Sequence, residues 1–135
     1  MIRLLADNNA DGHVGILVRV LMSEDWIAIW NDLELAVVTF EDLGLHRDTS
    51  DAVVWRACQR EQVLLITNNR NADGPDSLET TIREEGQSDS LPVFTLANPE
   101  QIRVDRAYAE RTALRLLEYL IYLDDARGSG RLFLP

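Results

Sequence analysis

The chain has 135 residues, 46% hydrophobic and 27% charged, the proportions of one globular domain, and no apolar run approaches the roughly 20 residues that span a bilayer. The stretch Met1 to Asp7 is too short in apolar residues for a signal segment, so the chain reads as cytoplasmic, and its single cysteine, Cys58, excludes an intrachain disulfide and a multi-cysteine zinc site. A net charge of −10 opposes tight non-specific binding of nucleic acid, and all thirteen basic residues are arginine, which excludes Schiff-base chemistry and a phosphate-loop or catalytic lysine but leaves bidentate grips on phosphate.

Ile2 to Ala6 is a short apolar strand ending in Asp7-Asn8-Asn9. From Asp11, the residues Val14, Leu17, Val18, Leu21 and Met22 recur at helical spacing, and the helix stops near Ser23-Glu24-Asp25. Ser23 or Asp25 caps a second short helix whose Trp26, Ile27, Ile29, Trp30 and Leu33 fill core or subunit interface. Leu35 to Phe40 is continuous and β-branched, a second buried parallel strand, and Glu41-Asp42-Leu43-Gly44 leaves its carboxyl end. After a polar loop, Thr49-Ser50-Asp51 introduces a helix to about Glu61 with Val54, Trp55, Ala57 and Cys58 inward.

Val63-Leu64-Leu65-Ile66 follow one another without alternation, as a strand covered on both faces requires, which places this strand mid-sheet. Thr67 to Pro75 then gathers amides, a guanidinium and a carboxylate around Gly74, and Asp76 opens a helix to Glu85 with Glu79 set for a capping box and a stop at Gly86. Pro92 to Leu96 is the fourth strand, and Pro99 to Ile102 a turn of helix. A long helix spans about Asp105 to Ala126, Gly128-Ser129-Gly130 ends it, and Arg131 to Leu134 adds an edge strand. Strands alternating with helices in one domain, residues 1–135, predict an α/β fold with a mainly parallel sheet of about five strands. The first and third strands should be parallel neighbours at its centre, with Asp7 and Thr67 to Asn69 on one edge. In such sheets ligands bind beyond the carboxyl ends of the strands, so the polar loop is the first candidate site.

Three carboxylate positions recur there: Asp7, Asp51, and Asp73 or Asp76. Clustered acids stay ionised beside a cation, and oxygen ligands suit magnesium or manganese. Such a metal activates water and neutralises an attacked phosphate while Arg70 or Arg47 grips the backbone. Asp51 and Asp76 also stand where a carboxylate stabilises a helix start. His13 and His46 read as ordinary polar residues and Cys58 as core.

Leu4-Leu5-Ala6-Asp7-Asn8-Asn9, Thr49-Ser50-Asp51 followed by Val53, Val54 and Ala57, and the strand with Thr-Asn motif from Val63 to Asn71 together resemble the PIN-domain superfamily, in the short PIN-like branch related to toxin-type ribonucleases. The likeness covers roughly the first ninety residues. It implies a three-layer α/β/α sandwich and a divalent-metal nuclease cutting RNA or other single-stranded nucleic acid, in a family whose members often pair with an antitoxin protein. On this reading Asp7, Asp51 and Asp76 are catalytic, Asp7, Asp51, Asp73 and Asp76 are the metal ligands, and Asn8, Asn69, Arg70 and Asn71 bind substrate. The chain departs from the pattern at Asn69 and Asn71, where such families carry carboxylates, and Asp73 and Asp76 stand in for them. The alternative is a non-catalytic PIN-like binding or regulatory module, which the two asparagines and the acidic surface favour. A phosphoacceptor receiver domain of similar layout fits less well without a lysine. The apolar residues around Trp26 and Trp30 and along the last helix further predict a homodimer.

Overall fold

The computed structural model describes residues 1–68 and 77–135, so Asn69, Arg70, Asn71, Asp73 and Asp76 lie outside the described residues. The strands are β1 (Ile2–Ala6), β2 (Leu35–Val38), β3 (Val63–Thr67), β4 (Val93–Leu96) and β5 (Arg131–Leu134), and they form one wholly parallel sheet in the order β2-β1-β3-β4-β5. The helices are α1 (Asp11–Leu21), α2 (Ile27–Asp32), α3 (Asp51–Glu61), α4 (Leu78–Glu85), α5 (Pro99–Val104), α6 (Arg106–Ile121) and α7 (Leu123–Ala126).

Alternation along the strands divides the core. Leu4, Leu64, Ile66, Phe94 and Leu96 pack with α1, α5 and α6, while Leu5, Val63, Leu65 and Val93 pack with Val54, Trp55 and Cys58 of α3 and Leu78 of α4. The result is a three-layer α/β/α sandwich, as expected. β3 is buried at every position, because it lies mid-sheet between β1 and β4 with helices packed on both faces. Trp30 is buried in the larger core with Trp26 packed beside it.

Several local expectations need correction. β2 is shorter than Leu35 to Phe40 and lies at the sheet edge, where Val37 remains 46% exposed; Phe40 has left the strand and turns the chain, its carbonyl accepting from the N–H groups of Leu43 and Leu45. Neither Ser23 nor Asp25 caps α2: the Ser23 hydroxyl donates to the Val20 carbonyl and thereby closes α1. Helix α4 starts at Leu78 with Ser77, not Asp76, as its cap, accepting from the Thr80 N–H at 3.2 Å. The long C-terminal helix is interrupted at Tyr122, and Asp105 caps its larger part through the Tyr108 N–H at 3.1 Å.

The crossovers differ in hand. From β1 to β2 the chain steps one way with α1 on the α6 side of the sheet; from β2 to β3 and from β3 to β4 it steps the other way with α3 and α4 on the opposite side, so these three connections share a hand. Parallel crossovers are almost always right-handed. The step from β4 to β5 continues in the same direction, yet α5 and α6 lie on the α1 side, which gives this connection the opposite hand.

The return to β5 turns at Gly128, whose φ of +82° and closeness to residue 88 both require glycine: a Cβ there would stand 2.5 Å from the Ser88 carbonyl oxygen. Gly128→Ala is therefore expected to cost at least about 2 kcal/mol, from left-handed strain plus a backbone clash. Urea unfolding measures it, and a loss below about 0.5 kcal/mol would refute the assignment.

Candidate functional site

Asp7 is the first residue beyond β1, and its N–H continues the ladder to β3 by donating to the Ile66 carbonyl at 2.9 Å. The parallel register pairs Ala6 with Ile66, so the next residues, Asp7 and Thr67, come side by side on one edge and one face. The Thr67 hydroxyl donates to Asp7 Oδ2 at 3.1 Å, and the Asn8 N–H donates to Asp7 Oδ1 at 2.8 Å. Two donors on two oxygens fix the carboxylate's orientation. Among the described residues each oxygen accepts one hydrogen bond, which leaves a lone pair for another partner. Thr67 is fully buried, whereas Asp7 is only partly so.

This point is also where the topology switches. The connection after β1 leads to β2 on one side and that after β3 leads to β4 on the other, so the chain diverges between Asp7 and Thr67, the position at which open α/β sheets bind ligands. Two amides hold this edge together. The Asn8 side-chain amide donates to the Arg47 carbonyl, tying the loop before α3 to β1, and the Asn68 amide donates to the Asn9 carbonyl at 2.8 Å.

Helix α3 leads directly into β3 and so runs against it, which returns its first turn, with Ser50 and Asp51, to the same sheet edge. Ser50 caps it, accepting from the Val53 N–H. Asp51 is half-buried in that first turn, where the positive end of the helix dipole favours its charge. One α3 side chain reports on Asp7: burial, assisted by the negative charge of Asp7, pushes the Cys58 thiol up to about 12. Cys58 is therefore an inert, protonated core residue at neutral pH, as its place on an apolar helical face predicts.

Of the expected site residues, the structure brings Asp7 and Asn8 into one hydrogen-bonded group and places Asp51 on the same edge. Asn69, Arg70, Asn71, Asp73 and Asp76 fall in the segment between Asn68 and Ser77, outside the described residues. Among the described residues no group of three His, Cys, Asp or Glu side chains is arranged to hold a metal ion. What they do offer a hard cation is Asp7, oriented and half-exposed, with Asp51 on its edge; magnesium commonly takes one or two carboxylates and completes its shell with water.

The expectation that the first and third strands are parallel neighbours with Asp7 and Thr67 on one edge is borne out, and what sequence reasoning missed is the hydrogen bond by which Thr67 holds the carboxylate. Sequence reasoning also missed Arg131. The side chain of this strand residue is only 9% exposed, its guanidinium donating to Glu79 Oε2 at 3.0 Å and to the buried Thr95 hydroxyl at 2.8 Å. The alternation in Arg131-Leu132-Phe133-Leu134 was the available signal, because it puts Arg131 on the face that α4 partly covers. Comparison of the chain with protein-family models, with curated proteins and with solved structures finds no match.

Proposed function

We propose that the chain is a divalent-metal-dependent ribonuclease of the PIN-like kind, acting on RNA or other single-stranded nucleic acid with magnesium or manganese. The observation that carries this reading is Asp7: a half-exposed carboxylate at the topological switch point, with both oxygens oriented by the Asn8 N–H and the Thr67 hydroxyl. Asp7 and Asp51 would hold the cation, with Asp73 or Asp76 as the third acid. When bound, a cation of this kind lowers the pKa of coordinated water and neutralises phosphate charge. The chain's own contribution is orientation: Thr67 and Asn8 fix the Asp7 rotamer, Asn69 and Asn71 supply neutral oxygen or amide contacts, and Arg70 or Arg47 grips a phosphate. A cytoplasmic setting, a homodimer and an antitoxin partner belong to the same proposal. Among the described residues no helix is long and apolar enough to cross a membrane.

A non-catalytic binding module is the second reading, favoured by the amides Asn69 and Asn71 and by the net charge of −10. Manganese titration separates the two. Metal at a hundredfold above its Kd is expected to add about 2.7 kcal/mol, raising the melting temperature by roughly 10 °C, and a labelled single-stranded RNA should be cut only when metal is present. A melting temperature indifferent to manganese, with intact RNA, would leave only the binding module.

A further inference from the structure

One residue from Asp7, on the β2 side of the sheet edge, a cleft of about 330 Å³ opens between the ends of β1 and β2 and the loop that carries Glu41 and Arg47. The hydrolytic reading draws on Asn8 and Arg47 among its lining residues and leaves Asp11, Val37, Val38 and Glu41 without a role. Val37 and Val38 give it an apolar floor, and Val37 keeps 46% of its surface open to solvent. Asn8, Asp11, Glu41 and Arg47 stand around it, and the bond from the Asn8 amide to the Arg47 carbonyl holds the loop against β1 and so sets the cleft's width.

These groups select a chemistry. Two carboxylates against one guanidinium disfavour a free phosphate, and the guanidinium disfavours a bare cation. Acceptor-only carboxylates, a donor-only guanidinium and an apolar floor are satisfied together by an uncharged planar ring that bears both N–H donors and acceptors and carries hydroxyls. That description fits a nucleoside, and the volume is at the small end of ligand pockets, where a nucleoside belongs. Asn8 directly follows Asp7, so their Cα atoms are about 3.8 Å apart, and a nucleoside seated here brings its own phosphate toward the Asp7 carboxylate.

We infer that this cleft is a base-and-ribose pocket for the nucleotide beside the cleaved phosphate, with Glu41 and Asp11 accepting from base N–H groups and from the ribose 2′-hydroxyl. The inference rests on the nuclease reading for the direction of the phosphate, but the pocket itself is tested without metal. A 2′-hydroxyl held by a carboxylate would make the site prefer RNA to DNA.

The test titrates the intact ¹⁵N-labelled chain, in EDTA, with the four ribonucleosides and their 2′-deoxy counterparts. Nucleosides are used because, without metal, Asp7 would repel a phosphate. Saturable shifts are expected at the amides of Ala6, Asn8 and Val37 to Glu41 with at least one ribonucleoside, and weaker binding of its deoxy form. Glu41→Gln and Asp11→Asn, both at exposed positions, should each weaken binding about tenfold while leaving the melting temperature nearly unchanged. No saturable shift up to the solubility limit, shifts confined to other residues, or unaltered affinity in both variants would overturn the pocket. If nucleosides bind there and RNA is not cut in manganese, the nuclease reading fails and the pocket stands. If RNA is cut in an Asp7-dependent way and the cleft stays silent, the pocket fails and the nuclease reading stands.

Discussion

Asp7→Asn is expected to abolish metal-induced stabilisation and to lower any RNA cleavage by at least about a hundredfold, while leaving the metal-free protein as stable as wild type or slightly more so. The local geometry explains the second half. An asparagine can face its oxygen to the Asn8 N–H and its amide to Thr67, whose hydroxyl accepts as readily as it donates, so both hydrogen bonds survive the change. At the same time the substitution removes one negative charge from a chain of net charge −10, beside a sheet edge that also carries Asp51. Were the carboxylate purely structural, its two charge-assisted hydrogen bonds would be weakened and the change would cost about 1–3 kcal/mol with or without metal. Melting curves of both proteins, in chelator and then in manganese, separate the cases. A mutant destabilised in chelator, alongside a wild type unmoved by manganese, would falsify the metal site.

Phe94→Ala should be the most damaging single truncation in the larger core. The ring is fully buried on β4 and lies 5.6 Å from that of Tyr119, tilted by 37°, so it joins the sheet to α6. Removing a buried phenyl ring sacrifices its transfer free energy and leaves a cavity, for about 3–5 kcal/mol. That is a large part of the roughly 5–15 kcal/mol by which a domain is stable. Val53→Ala on the 43% exposed face of α3 is the control, expected within about 0.5 kcal/mol of wild type. Urea denaturation gives both values, and a loss below about 1.5 kcal/mol at Phe94 would mean that the site collapses around the gap.

Much of the fold was legible because the chemistry of burial is local. An unbroken Val63-Leu64-Leu65-Ile66 run has no use outside a doubly covered strand, and Asp7 after a buried strand is hard to place anywhere but at a sheet edge. β2 was misread for the converse reason: Leu35, Ala36, Val37 and Val38 are as apolar as a central strand, and only its neighbours reveal that one side of it is bare. The break at Tyr122 has no glycine or proline to announce it. Within the site, the acid and the edge it shares with Thr67 could be found from the sequence, and the hydrogen bond between them could not. Thr67 meets Asp7 sixty residues away, through a strand register that no local pattern specifies. Arg131 was hidden in the same way, its burial depending on Glu79 of a helix fifty-two residues earlier.

The reversed hand of the last crossover bears on how the chain is made. Because α5 and α6 swing back over α1 instead of covering the outer sheet face, Phe133 is left 54% exposed at that edge, and the layer that seals Leu4, Leu64 and Ile66 is shared between α1 and residues beyond position 98. A chain emerging from the ribosome can form β1, β3 and the α3 layer early, since α3 runs straight into β3. It cannot finish the other side until α6 arrives, about ninety residues after α1, and closing so long a loop is slow relative to local contacts. Until then a greasy sheet face stays open, the kind of surface on which chaperones and aggregation compete. The strand edge that carries Asp7 is therefore laid down first and becomes part of a closed molecule last.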